Sequence, residues 1–251
     1  MAYRLALFGL LLAAPLSIAE QATSLADADL AEIDRQLNNP LTSLWSLTFQ
    51  NNASAKTGDA VDGTEYSNNL FFQPFLPFEV GAERQAMLTL RPVFPLVTQP
   101  EFDSPGGRSS SGHETGLGDI QLLTLAGPAA MLFHMGKPWT LGILAQHWES
   151  FAGDAHRADT SRTDVQYIIR RSILHAMSIG MGPTITYDWN ADSDNALTLP
   201  VGLGITKTTR WGRVPVKLRV EVHYSIVKPD DYGTEWNLRL QVTPVISSPM
   251  K

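Results

Sequence analysis

Charged side chains alternate with aliphatic ones over residues 213–226, and this row is the sequence's main candidate for chemistry. Lys217, Arg219, Glu221 and His223 fall at every second position, with an aliphatic residue in each gap. Because successive side chains of a strand point to opposite faces, the polar groups share one face and the aliphatic residues share the other. Such a row can line a polar passage and select ions, or it can pair internally and stiffen a wall.

The same alternation places further polar side chains on the inner face of neighbouring predicted strands. If these strands close into a barrel, the candidate residues that line its lumen are Arg91, Arg170, Lys217, Arg219, Glu221, His223, Arg239 and Gln241. Within the predicted strands, Asp164 and Glu221 are the acids set against this basic group. An excess of Arg and Lys in a pore attracts anions, so the pattern predicts a preference for anionic or carboxylate-bearing solutes.

A register for the last two strands follows if their loop pairs Val227 with Glu235. His223 then opposes Arg239, Glu221 opposes Gln241, and Arg239 lies diagonal to Glu221. The alternative interpretation is that these arginines pair with the acids and with Gln241 and fill the wall.

Other chemistries find less support in the residue spacing. The segment GLGITK (202–207) alternates Gly with Leu and Ile inside a strand, whereas a phosphate loop needs a following helix. The six histidines show no paired spacing, so we expect neither a metal site nor a cofactor. Ser, His and acidic residues are present without a nucleophile elbow or a matched trio, so no catalytic residue is assigned.

Composition narrows the class of protein. The chain has 251 residues, no cysteine and a formal net charge of −6. This length predicts a single domain, and the absence of cysteine excludes disulfides and thiolate metal sites. The negative charge without a basic cluster argues against a nucleic-acid partner.

The N-terminal region predicts export. Arg4 is followed by the apolar stretch 5–18 and the small-x-small sequence Ser17-Ile18-Ala19, which indicates a signal peptide over residues 1–19. Residues 20–43 are expected to carry a short periplasmic amphipathic helix, Ser24–Leu37, which ends at Asn38-Asn39-Pro40.

Residues 44–251 predict strands throughout, joined alternately by longer polar loops and shorter turns. The ten predicted strands are Leu44–Asn52, Ser67–Leu76, Gln85–Val97, Glu114–Met135, Pro138–Ser150, Thr163–Ser172, Ala176–Trp189, Ala196–Thr208, Arg213–Val227 and Glu235–Ile246. Trp and Tyr collect near both ends of these strands, as at the two interfaces of a membrane barrel. We therefore predict a closed, up-and-down, antiparallel transmembrane β-barrel with a short N-terminal helix and periplasmic termini. A soluble periplasmic barrel or sandwich is the alternative.

Several segments together resemble a family of Gram-negative outer-membrane β-barrels. They include QLNNPLTSLWSLTFQNN, NNLFFQPFLPF, GLGDIQLL, IGMGPTITYDW and YSIVKPDDYGTEWNLRL, and the resemblance extends over residues 30–245. Members of this family are labelled as transporters, sometimes as "neuromedin U", and are grouped with a barrel family of a phenol-degradation pathway. Relative to that family a strand pair is missing between LLTLAGP and AAMLF, so Glu114–Met135 is long and is expected to bend at Gly127-Pro128.

The functional expectation is a non-enzymatic channel in the cell outer membrane that passes small, anionic or aromatic solutes passively. Its expected partners are outer-membrane lipid, the solute and the barrel-assembly machinery. The alternatives are an outer-membrane hydrolase and a structural or adhesin-like barrel.

Overall fold

The computed structural model describes residues 29–38, 42–80, 86–102, 107–126, 132–135, 138–149 and 159–246. These residues form one helix, α1 (Leu30–Leu37), and thirteen strand segments. The segments are β1 (Trp45–Thr57), β2 (Glu65–Val80), β3 (Ala86–Phe102), β4 (Ser110–Leu117), β5 (Gln121–Ala126), β6 (Leu132–Met135), β7 (Trp139–Glu149), β8 (Ser161–Leu174), β9 (Met177–Met181), β10 (Thr184–Asp188), β11 (Leu197–Trp211), β12 (Val214–Val227) and β13 (Gly233–Ile246). Among the described residues, no helix has the length and apolar character needed to cross a membrane. The predicted signal peptide, residues 1–19, lies outside the described residues.

The segments build an antiparallel sheet in which strands that follow one another in the chain are neighbours in space. Its order is β4–β3–β2–β1–β13–β12–β11–β10–β8–β7–β6, with β5 on β3 and β9 between β8 and β11. The first strand, β1, pairs with the last, β13, from Trp45–Ile246 to Thr57–Gly233. This up-and-down order confirms the predicted barrel class.

The strand count is about 12 rather than the ten predicted. Two of the predicted strands are interrupted, which gives the thirteen segments. Glu114–Met135 divides into β4, β5 and β6, and Ala176–Trp189 divides into β9 and β10. Pro183 stands at the second break, where a residue without an N–H cannot continue the ladder. The ladders with β3 and β7 make β4, β5 and β6 run in one direction, so strand direction alternates as predicted. The predicted bend at Gly127-Pro128 lies outside the described residues.

The barrel has two distinct ends. Two-residue turns at 175–176 and 212–213 lie at the turn end, and the loops 58–64, 189–196 and 228–232 lie at the loop end. The loops are joined by backbone hydrogen bonds, from the Asp59 N–H to the Asp230 oxygen (2.8 Å) and from the Asp230 N–H to the Asp194 oxygen (3.2 Å). Tyr232 lies in the last of these loops, and its pKa is raised by burial and by the charge of Glu65. That the turn end faces the periplasm stays a prediction.

The two faces of each strand differ sharply in polarity. On β12, Val220 and Val222 expose 44% and 45% of their surface, while Glu221 between them exposes none. In a soluble protein the aliphatic residues would be buried and the carboxylate would be solvated. The inverted arrangement is that of a barrel whose apolar outer face meets lipid and whose polar face is internal.

Aromatic residues mark both rims of the apolar outer face. At the loop end, Tyr187 packs edge-on against Trp189 (ring centroids 4.6 Å apart) and Tyr224 packs against Trp236 (4.8 Å). At the turn end the exposed aromatic residues include Trp139 and Trp211. Trp and Tyr favour the two membrane–water interfaces because each joins an apolar ring to a polar N–H or O–H.

Helix α1 begins at Leu30, whereas the predicted helix began at Ser24; residues 24–28 lie outside the described residues. Asp29 is its N-cap, accepting a hydrogen bond from the Ala31 N–H (3.2 Å), and Glu32 suits the positive end of the helix dipole. The Asn38 side chain closes the other end by donating to the Asp34 carbonyl (2.9 Å). The helix lies against β11 and β12 and buries Ile33.

We expect an arginine on the outer face to destabilise the barrel according to its depth. Val220→Arg, at mid-strand, should lower the free energy of unfolding in phospholipid vesicles by about 2–4 kcal/mol, because the guanidinium would enter hydrocarbon. The matched control is Val227→Arg at the loop end, for which we expect about 0–1 kcal/mol. Urea titration measures both. Equal, small effects would instead favour a soluble sandwich with a hydrated outer face.

Candidate functional site

The centre of the site is Glu221, a buried carboxylate surrounded by basic side chains from three strands. Its Oε1 accepts a hydrogen bond from Arg170 of β8 and lies 3.6 Å from the Nε of Arg219. Its Oε2 lies 3.4 Å from Arg239 of β13 and 3.2 Å from the Nε2 of His223. Glu221 is wholly buried, and the side chains of Arg170 and His223 expose only 2% and 4%. The group formed by Arg170, Arg219, Glu221, His223 and Arg239 is called the Glu221 cluster below.

Glycines of the adjacent strands make room for the Glu221 cluster. Gly204 of β11 pairs with Glu221 in the ladder, and a Cβ there would lie 2.4 Å from the Glu221 Cγ. Gly180 of β9 pairs with Arg170, and its φ of +154° lies at the margin of a region that side chains rarely adopt. The large side chains of the Glu221 cluster therefore lie over glycines of β9 and β11.

The register between β12 and β13 differs from the predicted one by two residues. Glu221 pairs directly with Arg239, His223 with Asn237, and Arg219 with Gln241. The prediction assumed that Val227 pairs with Glu235, whereas the ladder ends at Tyr224–Trp236 and leaves a longer connection. Because the shift is even, every side chain keeps its predicted face. The predicted opposition of Glu221 to Gln241 and of His223 to Arg239 is therefore wrong.

Helix α1 contacts Lys217, which lies next to Arg219 on the inner face of β12, at the turn end. The Lys217 Nζ lies 3.6 Å from an Asp34 carboxylate oxygen and donates to the Asn38 side-chain oxygen (2.5 Å). The Thr208 hydroxyl of β11 donates to the same Asp34 oxygen (2.7 Å). Lys217 and Thr208 are buried, so the helix covers this part of the inner wall. The helix was predicted in residues 20–43, but its insertion into the barrel was not.

The remaining predicted residues make separate contacts. Arg91 of β3 donates to the side-chain oxygen of Gln73 on β2. Gln241 donates a hydrogen bond to the Thr243 hydroxyl (3.0 Å), which is a neutral partner. Asp164 is held by Arg162 (3.2 Å) and by the Trp148 indole N–H (2.9 Å), away from the Glu221 cluster.

Asp34, Thr208 and Asn52 contribute to the site but were missed in the sequence. Thr208 and Asp34 are 174 residues apart, and the Arg239 Nε donates to the Asn52 oxygen (3.3 Å) across 187 residues. For Thr208 and Asn52 the only sequence signal is strand parity, the alternation of side chains between the two faces of a strand. Asp34 lies on a helix, so it lacks even this signal. Among the described residues, no group of three or more His, Asp or Glu side chains could hold a metal ion.

Comparison with known proteins supports the fold. No protein-family model and no curated protein matches the sequence. The chain is similar in structure to the COG4313 outer membrane channel from Pseudomonas putida F1, with a TM-score of 0.54 and 13% identity. The match covers 81% of this chain and 94% of that one. At this identity the likeness is one of fold, and it supports an outer-membrane barrel; the finer family label stays a prediction.

Removal of the central carboxylate should destabilise the barrel strongly. Glu221→Ala leaves three guanidinium groups facing one another, and loss of one partner of a buried ion pair costs about 3–5 kcal/mol. The control is Glu235→Ala, which removes a carboxylate that accepts a hydrogen bond from Thr57 near the loop end. Urea titration of both variants in vesicles is the measurement. A Glu221 variant no less stable than the Glu235 variant would contradict a central role for the cluster.

Proposed function

We propose that the protein is a passive outer-membrane channel for small solutes, with a preference for anionic or carboxylate-bearing ones. The observation that carries the proposal is the inverted polarity of the barrel, apolar outside and ionised inside. A wall of charged side chains is costly in a closed interior unless the charges pair or remain hydrated. The structural similarity to an outer membrane channel supports the same class of function.

Charge accounting along the inner wall supports the preference for anions. Within the Glu221 cluster, three arginines face one described carboxylate, an excess of positive charge even with His223 neutral. Lys217 is balanced by Asp34, and Arg91 lies beside the neutral Gln73.

The negative charges of the protein are concentrated elsewhere. The net charge of the chain is −6, and acids such as Asp59, Asp194 and Asp230 lie in the loops. A solute meeting this wall therefore encounters a positive potential inside a negative protein.

The preference for anions predicts a measurable selectivity. In planar bilayers under a potassium chloride gradient, we expect the reversal potential of the wild type to report anion selectivity. Arg219→Ala combined with Arg239→Ala should reduce the ratio of anion to cation permeability, because two positive charges leave the wall.

The control variant is Arg108→Ala, since Arg108 pairs with Asp62 in the exposed part of the loop end. A cation-selective wild type, or an unchanged ratio in the double variant, would show that the charged arc is structural. A folded barrel without conductance or solute flux would favour the alternatives to a channel.

The position of α1 leads to a second expectation about conductance. Deletion of residues 29–38 should raise single-channel conductance, because the helix occupies space beside β11 and β12 at the turn end. Asp34→Asn is a less disruptive variant for the same measurement, since it keeps the side-chain volume and removes the ion pair with Lys217. Equal conductance in wild type and deletion variant would mean that the solute path avoids the helix.

A hydrolase is the second candidate function, and one contact favours it. The His147 Nδ1 lies 2.9 Å from the Thr163 hydroxyl and its Nε2 lies 3.2 Å from Glu149, a hydroxyl–imidazole–carboxylate series. His147 and Glu149 are half-exposed or more on the outer face near the loop end. Hydrolysis of p-nitrophenyl butyrate by the purified barrel, lost in both His147→Asn and Thr163→Ala, would establish this function. The channel proposal expects no such activity.

A further inference from the structure

Within the Glu221 cluster, the three arginines are not equivalent. Arg170 donates to Glu221 and to the Thr206 hydroxyl (3.0 Å). Arg239 donates to the Gly182 carbonyl (2.9 Å) and approaches Glu221 at 3.4 Å. Both guanidinium groups therefore already have protein acceptors. Arg219 differs, because its buried Nε has no hydrogen-bond partner among the described residues.

Glu221 does not complete the hydrogen bonding of Arg219. Arg170 occupies its Oε1, and Arg239 and His223 approach its Oε2, while the Arg219 Nε stays 3.6 Å away. A separation of 3.6 Å is too long for a hydrogen bond. The attraction between Arg219 and Glu221 is therefore Coulombic, and the buried Nε–H of Arg219 has no acceptor among the described residues.

The surroundings of Arg219 supply hydroxyl and amide groups and no further carboxylate within its ladder pairs. Its partners in register are Thr206 on β11 and Gln241 on β13.

The other acids near this wall are already bound. The nearest acid on α1, Asp34, contacts Lys217 and Thr208. Asp164 of β8 is bound to Arg162 and Trp148. Among the described acids, none is placed to become the missing acceptor.

Arg219 also retains access to the interior space. Its side chain exposes 16%, compared with 2% for Arg170 and 11% for Arg239. Because Arg219 lies on the inner face of β12, this exposure is toward the lumen. A partly exposed guanidinium with an excess of positive charge around it suits a carboxylate, whose two oxygens match the planar fork of donors.

We infer that Arg219 is the residue that binds a carboxylate-bearing solute in the lumen, while Arg170 and Arg239 hold Glu221 and keep the wall in shape. The carboxylate accepts hydrogen bonds from the guanidinium of Arg219 and neutralises part of the excess charge of the Glu221 cluster. This inference rests on the proposed channel function for its biological meaning. The binding site itself can be tested separately from conduction.

The first test uses benzoate as the probe and benzamide as its neutral isostere. In bilayers, benzoate should reduce the chloride current of the wild type in a saturable way, and benzamide should not. Arg219→Gln should raise the half-blocking concentration of benzoate by about tenfold or more, because the amide keeps a polar side chain but loses the charge and the planar fork of donors. Arg219→Lys, which keeps the charge without the planar fork, should give an intermediate value.

The control for this test is Arg162→Gln. Arg162 is a second inner-face arginine whose Nε also lacks a hydrogen-bond partner, but its Nη2 donates to Asp164 (3.2 Å), so benzoate block should be unchanged. Equal block in wild type and in a folded Arg219→Gln variant overturns the inference, as does equal block by benzoate and benzamide. If Arg219→Gln does not fold, the Arg219→Lys variant decides by the same comparison.

The second test measures binding without conduction. Benzoate should raise the unfolding temperature of the wild-type barrel in detergent, and this shift should disappear in Arg219→Gln and persist in Arg162→Gln. A wild type that conducts nothing but shows this pattern would refute the channel and leave the site standing. A conducting wild type that shows neither an Arg219-dependent shift nor an Arg219-dependent block would leave the channel and refute the site.

Discussion

The buried carboxylate of Glu221 is the interaction on which the arrangement of the barrel interior depends. It joins side chains from β8, β12 and β13; β12 and β13 are adjacent, whereas β8 is separated from β12 by β9, β10 and β11. A contact between Arg170 and Glu221 therefore spans the interior rather than a single ladder. Such a contact needs glycine at Gly180 and Gly204, since a Cβ at either position would meet neighbouring backbone or the Glu221 side chain. The glycines of β9 and β11 and the charges of β8, β12 and β13 are thus one structural unit.

Strand parity explains why the fold could be predicted more reliably than the site. A row such as Lys217, Arg219, Glu221 and His223 fixes which face is internal, because the side-chain period of a strand is two. Register is a weaker signal, since a shift of two residues leaves the polarity of every face unchanged. That is how Glu221 came to be paired with Gln241 in the sequence prediction and with Arg239 in the structure. The interruptions at Pro183 and between β4 and β6 raised the strand count for a similar reason: parity does not report where a ladder breaks.

The contacts of α1 show what local sequence patterns leave out. The helix could be predicted from its amphipathic spacing and its end at Asn38, and the sequence gives no indication of which wall it meets. Its anchors, Thr208 and Lys217, lie on β11 and β12 at the turn end. Lys217 belongs to the same polar row as Glu221 but takes its counter-charge from Asp34. The inner wall is therefore divided into a section neutralised by the helix and a section that keeps positive charge.

The two sections of the inner wall differ in how far their positive charges are paired. A buried ion pair that is fully matched contributes little net free energy, because desolvation offsets the Coulombic attraction. Lys217 with Asp34 is such a pair, and so is Arg170 with Glu221. Arg219 remains as an internal positive charge whose Nε has no acceptor among the described residues. The matched pairs hold the wall in place, which keeps the unmatched guanidinium fixed in position without a protein partner to occupy it. In the proposed channel, a guanidinium already positioned by its neighbours would bind an anionic solute with little rearrangement, and release would leave the wall intact.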